Sequence, residues 1–430
     1  MRIGLVGFGT IGTGVVRALA SHGALIAERL GFPLELARIA DIDLERDRGV
    51  SLSGVRLTRD WRELVNDPEI DLVVELIGGT RVAKDVVLAA LDAGKHVVTA
   101  NKALLATHGA EIYALAASKH TEIAFEASVG GTIPVLRALR EGLCADRVLA
   151  LHGIVNGTCN FILTQMEAHG EPYEVCLERA QELGYAEPDP SFDVDGVDSA
   201  HKLAILVGLA FGARLAPDAF PIDGIRRIVP ADVEYARRIG LRIKLLAVAK
   251  RAATGIEARV HPTMIPRESV LAGVDGSMNA IEVRGELSGP TLYYGAGAGA
   301  LPTASAVLAD LMELARARRH GISGRVPPLG TPEPCDAVLC KPGEERGEYY
   351  VRFTALDKPG VLSKITGALG ARGISIASVL QEERHESRAV PIVLTIHEAR
   401  QADLDAALAE IARLPEVVAP AQKIRIEREL

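Results

Sequence analysis

Cysteine is scarce in this chain of 430 residues: Cys144, Cys159, Cys176, Cys335 and Cys340 are odd in number, widely spaced and never in a CxxC pair. That pattern argues against a disulfide framework and against a zinc site, and it fits a reducing cytoplasm. No uninterrupted apolar run reaches the roughly 20 residues that span a bilayer. A basic excess is lacking too. The formal net charge of -8 sets a mildly repulsive background for nucleic acid and anionic membrane. The densest basic stretch, MELARARRH, places Arg316, Arg318 and Arg319 after an alanine- and leucine-rich run and reads as a solvated helix end. The chain opens on MRIGLVGFG, apolar residues that belong to a strand, so no signal peptide is expected. A cytoplasmic protein without nucleic-acid or membrane partners is the expectation.

What the chain does have is length and apolar content. Its size predicts roughly three domains, and 48% hydrophobic against 24% charged residues is enough to bury several cores. Residues 2–6 form a short apolar run ending in Gly7-Phe8-Gly9-Thr10-Ile11-Gly12, after which Val15, Val16, Leu19 and Ala20 recur at helical spacing. Strand, glycine turn and helix in that order make a dinucleotide fingerprint. Gly7 permits the tight turn, Gly9 lets the backbone approach a pyrophosphate, and Gly12 lets helix and strand pack closely. A second strand over 36–40 leads to Asp41 and Asp43. An acid there accepts hydrogen bonds from ribose hydroxyls and repels a ribose phosphate, which favours NAD over NADP. Arg46 and Arg48 are the counterargument. Further strands over 71–76 and 95–100 end in Gly78-Gly79-Thr80 and in Asn101-Lys102, at the carboxyl edge where open parallel sheets bind ligands. Another strand is predicted over 121–126.

The middle of the chain concentrates acids and one lysine in GYAEPDPSFDVDGVDSAHK, residues 184–202. Pro188 and Pro190 forbid regular helix in its first half. Asp195 or Asp198 can cap a helix that follows over 199–210. Asp198 and Lys202 lie four apart and share one helical face. The glycine tract over 292–303 reads either as a phosphate loop or as a flexible crossing back to the first domain. Proline and glycine cluster over 321–334 as a linker. Beyond it the order βαββαβ predicts an antiparallel sheet with helices on one face. No nucleophile and base pair up there, since His385 and His397 lack an obvious partner, and regulation or assembly is the better reading.

Taken together, NK at 101–102, EASVGGTIP at 126–134, GIVNGTCN at 153–160, EPDPSFDVDGVDSAHK at 187–202 and GAGAGALPTASAV at 295–307 make the chain resemble the homoserine dehydrogenases, in their long form with a carboxyl-terminal ACT module. The likeness runs over nearly the whole chain. It implies a Rossmann-type parallel sheet over 1–135, completed by 300–320. An α+β substrate-binding and dimerisation domain over 136–299, a linker over 321–346 and a ferredoxin-like ACT domain over 347–430 would follow. The implied activity is the reversible, NAD(P)-dependent interconversion of L-homoserine and L-aspartate 4-semialdehyde, on the way to threonine and methionine.

Position by position, the resemblance makes Lys202 the proton donor to the aldehyde oxygen and Lys102 its partner near the reacting carbon and the cofactor. Asp198 orients Lys202 or helps relay its proton. An ammonium beside an incipient alkoxide both stabilises the charge and can surrender a proton. Two lysines close together each disfavour the other's charge, a means of lowering a pKa from about 10.4 for catalysis in both directions. Glu187 and Asp193, with Tyr185 nearby, would hold the substrate's amino group. Gly7, Phe8, Gly9, Thr10, Ile11, Gly12, Asp41, Gly78, Lys102 and Gly299 would line the cofactor. The carboxylate of Glu126 and the backbone oxygens of Val129, Gly131 and Ile133 would cage a monovalent cation, Na+ or K+. The departure from the family is Ala40-Asp41-Ile42-Asp43-Leu44, where many relatives carry an arginine, and its loss weakens the case for NADP. The turn Asp357-Lys358-Pro359-Gly360-Val361-Leu362 resembles the ACT turn and implies threonine as effector. Such modules bind between paired copies, hence a homo-oligomer, dimer or tetramer. A semialdehyde dehydrogenase using Cys159 and a non-enzymatic dinucleotide sensor are the rival readings. The first lacks a histidine beside the thiol, and the second is separated by turnover alone.

Overall fold

The apolar run at the amino terminus becomes strand β1 (Arg2–Val6), buried from Ile3 onward. It pairs in parallel with β2 (Glu35–Ala40) on one side and β4 (Leu72–Glu75) on the other. With β3 (Arg56–Thr58), β5 (His96–Thr99) and β6 (Ile123–Ala124) these make a parallel sheet in the order β3-β2-β1-β4-β5-β6. The strand order reverses between β1 and β4, which opens a crevice beyond their carboxyl ends. Strands β4 and β5 are buried at every position, as expected of a sheet covered on both faces.

The computed structural model describes residues 1–381 and 389–430; His385 lies outside the described residues. It divides into two units, one of Met1–Gly157, Val197–Ala219 and Ser277–Ala337, the other of Thr158–Gly196, Phe220–Gly276 and Val338–Leu430. In the first unit, helix Ala300–Arg319 packs on α1 (Thr10–Leu30), joining Val15, Val16, Leu19 and Ile26 to Ala304, Val307, Leu311 and Leu314 in one core. Gly14 is what permits this approach, because a Cβ there would collide with the carbonyl of Ala300.

Three antiparallel strands, Val148–Ile154, Met278–Gly285 and Gly289–Ala296, also belong to the first unit. Here the structure corrects the reading of the glycine tract: its first half is strand, paired from Tyr294 to Ala280, and only the residues just before Ala300 turn. The strand predicted over 121–126 is shorter than expected, because Glu126–Ser128 closes into a 3-10 turn. The proline-rich segment after 321 has little regular structure, yet it is packed down. Leu329 is buried against Gly208, and Cys335–Asp336 pairs in parallel with Ala213–Arg214.

The second unit holds a long hairpin, Leu241–Ala252 with Gly255–Pro266. It also holds the predicted βαββαβ: Arg346–Leu356, Val361–Gly370, Ile376–Leu380, Ala389–Arg400, Gln401–Ile411 and Val417–Ile426. Strand Val417–Ile426 pairs antiparallel with Arg346–Leu356 and, through Thr263 with Arg425 and Met264 with Ile426, in parallel with the hairpin. The last module therefore continues the sheet of the hairpin.

A buried carboxylate fastens the same junction. Asp232, in helix Pro230–Arg238, is fully buried and accepts from Tyr350 Oη at 2.9 Å, from Arg352 Nε at 2.6 Å and Nη2 at 3.1 Å, and from the Val229 amide at 3.1 Å. Asp232→Ala would leave a mostly buried guanidinium without its counter-charge, so urea unfolding should show a loss of about 3–5 kcal/mol. A loss below about 1 kcal/mol would mean that the pair behaves as an exposed one.

Candidate active site

The fingerprint residues adopt the geometry their types predict. Gly7 has φ 99°, a left-handed conformation, and a Cβ there would stand 2.6 Å from the Leu76 carbonyl carbon. Gly12 lies so close to the carbonyl of Gly7 that any side chain would collide with it. Around Gly9 the space is open, and α1 begins there with no side-chain cap. Its first amides are therefore available to an anion such as a pyrophosphate, which fits a dinucleotide. Phe8 is held from both sides: its amide donates to Asp41 Oδ2 at 2.5 Å, and its carbonyl accepts from Arg48 Nε at 2.5 Å. The Arg48 guanidinium also stands 3.7 Å from Asp41 Oδ1 and 4.5 Å from the Phe8 ring centroid. Asp41 thus faces the fingerprint loop, while Asp43 is exposed. Gly78 is exposed in the loop after β4, and Gly299 is the residue before helix Ala300–Arg319, with φ 126°.

Two strands over, β4 and β5 end side by side, Glu75 opposite Thr99. Asn101 follows and caps helix α4 (Lys102–Ser118) by accepting from the Leu104 amide at 3.0 Å. That cap fixes where the helix starts, and Lys102 is its first residue.

Lys102 reaches a carboxylate from another part of the chain. Asp198 sits in helix Val197–Phe211, one residue inside it, so its side chain is an i,i+4 partner of Lys202 instead of a cap. Lys202 Nζ is 2.7 Å from Asp198 Oδ2 and donates to the Val155 carbonyl at 2.6 Å. Lys102 Nζ is 3.0 Å from Asp198 Oδ1, and Asn156 Nδ2 donates to Oδ2 at 2.9 Å. The side chains are 3% exposed for Asp198, 11% for Lys202 and 33% for Lys102. One carboxylate therefore joins two ammoniums, and the lysine nearer the solvent is the one carried by α4.

Burial alone would lift the Asp198 carboxyl. The charge of Lys202, then that of Lys102, with hydrogen bonds from Lys202 and Asn156, reverses this and holds it far below the usual carboxylate range. Asp198 is accordingly an anion at every working pH. Burial, aided by Lys102 and opposed by Asp198, lowers the neighbouring His201 below its ordinary value, so it adds no third positive charge at pH 7. The sequence singled out Asp198, Lys202 and Lys102. Asn156 and the Val155 carbonyl were not assigned roles, although both lie inside the quoted GIVNGTCN motif.

Among the other expected site residues, Glu126 is buried, and its two carboxylate oxygens accept from the amides of Leu136 and Arg137 at 2.8 Å each. Burial raises its carboxyl above the ordinary value against those hydrogen bonds. A monovalent cation beside it would offset that penalty. No group of three or more His, Cys, Asp or Glu side chains that could hold a metal occurs among the described residues. Tyr185, Glu187 and Asp193 belong to the second unit. Tyr185 and Glu187 are exposed, the Tyr185 ring lies 4.9 Å from that of Phe161 at a tilt of 45°, and the Asp193 carbonyl accepts from the Cys159 thiol at 3.3 Å. Cys159 is fully buried, which removes it as a nucleophile for acyl chemistry.

Comparison with known proteins adds an independent line. Residues 7–126 match the family model for the homoserine dehydrogenase NAD-binding domain, 134–312 the homoserine dehydrogenase model, and 349–416 the ACT domain model. The chain is 45% identical to a homoserine dehydrogenase of Pseudomonas aeruginosa, over 100% of this chain and 99% of that protein. It is 43% identical to that of Neisseria gonorrhoeae over 99% and 98%. A crystal structure of a homoserine dehydrogenase from Thiobacillus denitrificans superposes with a TM-score of 0.94 at 44% identity, covering 100% and 98%. A hyperthermophilic archaeal homoserine dehydrogenase in complex with NADPH gives 0.62 at 26% identity, covering 73% and 97%.

Glu75 supplies a pH test of the edge that carries Lys102. Burial pushes its carboxyl up from an ordinary 4.5 to about 7, against hydrogen bonds from Thr99, Ile77 and Asn101. Between those values the folded protein keeps a proton that the unfolded chain has lost, so stability falls as pH rises through that window. Relative to Glu75→Gln, the wild type should lose up to about 3 kcal/mol between acid and neutral pH, read by urea unfolding. A difference that does not change with pH would contradict this.

Proposed function

We propose that this chain, which belongs to the homoserine dehydrogenase family, interconverts L-homoserine and L-aspartate 4-semialdehyde with a nicotinamide dinucleotide, in the supply of threonine and methionine. The observation that carries the reading is the Asp198 cluster, in which a buried anion presents two ammonium groups. The bound nicotinamide supplies or accepts the hydride. In reduction, Lys202 lies against the forming alkoxide, stabilises it and gives it a proton. In oxidation the same nitrogen receives the hydroxyl proton. Asp198, held deprotonated, orients Lys202 and Lys102 and does not relay a proton itself. Lys102 balances the charge of the cluster on the side toward α4. Glu187 and Asp193, with Tyr185, hold the substrate's α-ammonium by carboxylate acceptors.

Asp41 would meet the adenosine ribose, and NAD is the favoured cofactor. Arg48 is the feature that leaves NADP usable, and an archaeal relative was solved with NADPH. In this reading residues 1–135, completed by 300–320, bind the dinucleotide, 136–299 bind substrate and dimerise, and 321–346 link them to an ACT domain over 347–430. The Glu126 carboxylate and the backbone oxygens of Val129, Gly131 and Ile133 would hold Na+ or K+. The protein is a cytoplasmic homo-oligomer, a dimer or tetramer. Among the described residues no helix is long and apolar enough to cross a membrane.

Threonine binding at the ACT turn would give feedback. Asp357, which accepts from Gln381 Nε2 at 3.2 Å, and the left-handed Gly360 shape that turn. The strand that leads into this turn, Arg346–Leu356, carries Tyr350 and Arg352 to Asp232.

Two measurements check these assignments. Spectrophotometric assay with homoserine and each dinucleotide should show turnover, and Lys202→Ala should lower kcat by about 10³-fold with NADH affinity unchanged. A fall of less than about threefold would remove Lys202 from the chemistry. Threonine should slow the wild type, and Asp357→Ala should relieve the inhibition while leaving kcat in its absence intact. Equal inhibition of both would move the effector elsewhere.

A further inference from the structure

Glu75 has no part in the chemistry described above, yet it occupies the centre of the sheet's carboxyl edge. It is fully buried at the end of β4. Oε1 accepts the Ile77 amide at 2.7 Å, and Oε2 accepts the Thr99 hydroxyl at 2.6 Å. Thr99 Oγ1 in turn accepts the Asn101 amide at 3.0 Å, and Asn101 Nδ2 returns to the Gly79 carbonyl at 2.7 Å. The result is a closed circuit between the loop after β4 and the residue that caps the helix of Lys102. On its other flank the same loop abuts the fingerprint, where Gly7 has room for no Cβ between itself and Leu76 and Ile77.

We infer that Glu75 is a positioning residue that locks the fingerprint loop, the glycine loop after β4 and the start of the Lys102 helix into one arrangement. The inference rests on the dehydrogenase reading. A buried carboxylate is expensive, and a side chain needed only to fill space there would be apolar. What the site uses is two acceptor atoms on one rigid group, because both incoming groups are donors. Glutamine offers one acceptor and one donor, so an amide at this position keeps the Ile77 bond only if its Nε2 turns on the Thr99 hydroxyl, which must then change from donor to acceptor. Loss of either bond frees the two loops to move separately, which affects dinucleotide binding and the placement of Lys102 together while leaving the ammonium-binding acids untouched. The upward shift of the Glu75 carboxyl agrees with so enclosed a position.

The test uses the full chain with Glu75→Gln, Thr99→Val and the double substitution, read by NADH fluorescence titration and by steady-state kinetics. Each single change should raise the NADH Kd and lower kcat by about tenfold, as expected when a buried hydrogen bond is lost and its partner is left unpaired. The KM for homoserine should stay within about twofold, and the double variant should be no worse than the worse single one, since both break one circuit. Thr99→Ser, which restores the hydroxyl, should restore both values. Wild-type Kd and kcat in Thr99→Val, with only the melting temperature lowered, would overturn the inference even if Glu75→Gln failed to fold. A wild type that binds NADH without turning over homoserine would defeat the dehydrogenase reading, and the titrations would still decide the role of Glu75.

Discussion

The site depends on one buried carboxylate between two ammonium groups. Asp198 is almost wholly enclosed, and an isolated anion in such a place would be neutralised or expelled. It survives because Lys202, Lys102 and Asn156 surround it. The dependence is mutual. Without the anion the two lysines would repel each other across a short distance, and the inner one would have to give up its charge or its burial. The cluster keeps net positive charge, and it fixes that charge without asking a ligand to order it.

Backbone geometry brings the parts together. Lys202 and Asp198 come from adjacent turns of one helix, which fixes their spacing. Lys102 comes from the first turn of α4, whose starting point is set by Asn101, and Asn101 is tied through Thr99 to Glu75. The crevice where the strand order reverses therefore supplies both a surface for the dinucleotide and one of the two cations. Under the dehydrogenase proposal, such coupling would let a single set of short hydrogen bonds align cofactor and lysine, a requirement for hydride transfer within near-contact distance.

Much of this could be read in the sequence where chemistry is local. The fingerprint needs small residues at fixed offsets, so Gly7, Gly9 and Gly12 announced their own roles, and helical spacing announced the Asp198–Lys202 pair. The terminal βαββαβ followed from alternation of apolar runs and turns. What failed was non-local or disguised. Asp195 and Asp198 both offered a helix cap, because a carboxylate near a helix start often is one, but the helix begins at Val197 and Asp198 lies inside it. The glycines after Tyr294 read equally as a phosphate loop or a flexible crossing, yet a glycine without φ constraint can sit in a paired strand, as Gly295 does. Glu75 carries no signal inside Leu-Val-Val-Glu, since only the fold reveals that its carboxylate turns into the sheet edge. The partners of Lys102 and Asn156 are distant in sequence and have no periodic signature.

The central claim is that the charge of Asp198, and not merely its shape, holds Lys202 in its working position. Single-turnover stopped-flow reduction of the semialdehyde by NADH, comparing wild type with Asp198→Asn, tests it most directly. The account predicts a hydride step slowed by about 100-fold or more, with the NADH dissociation constant unchanged. A neutral amide at that position that supported the wild-type rate would contradict it.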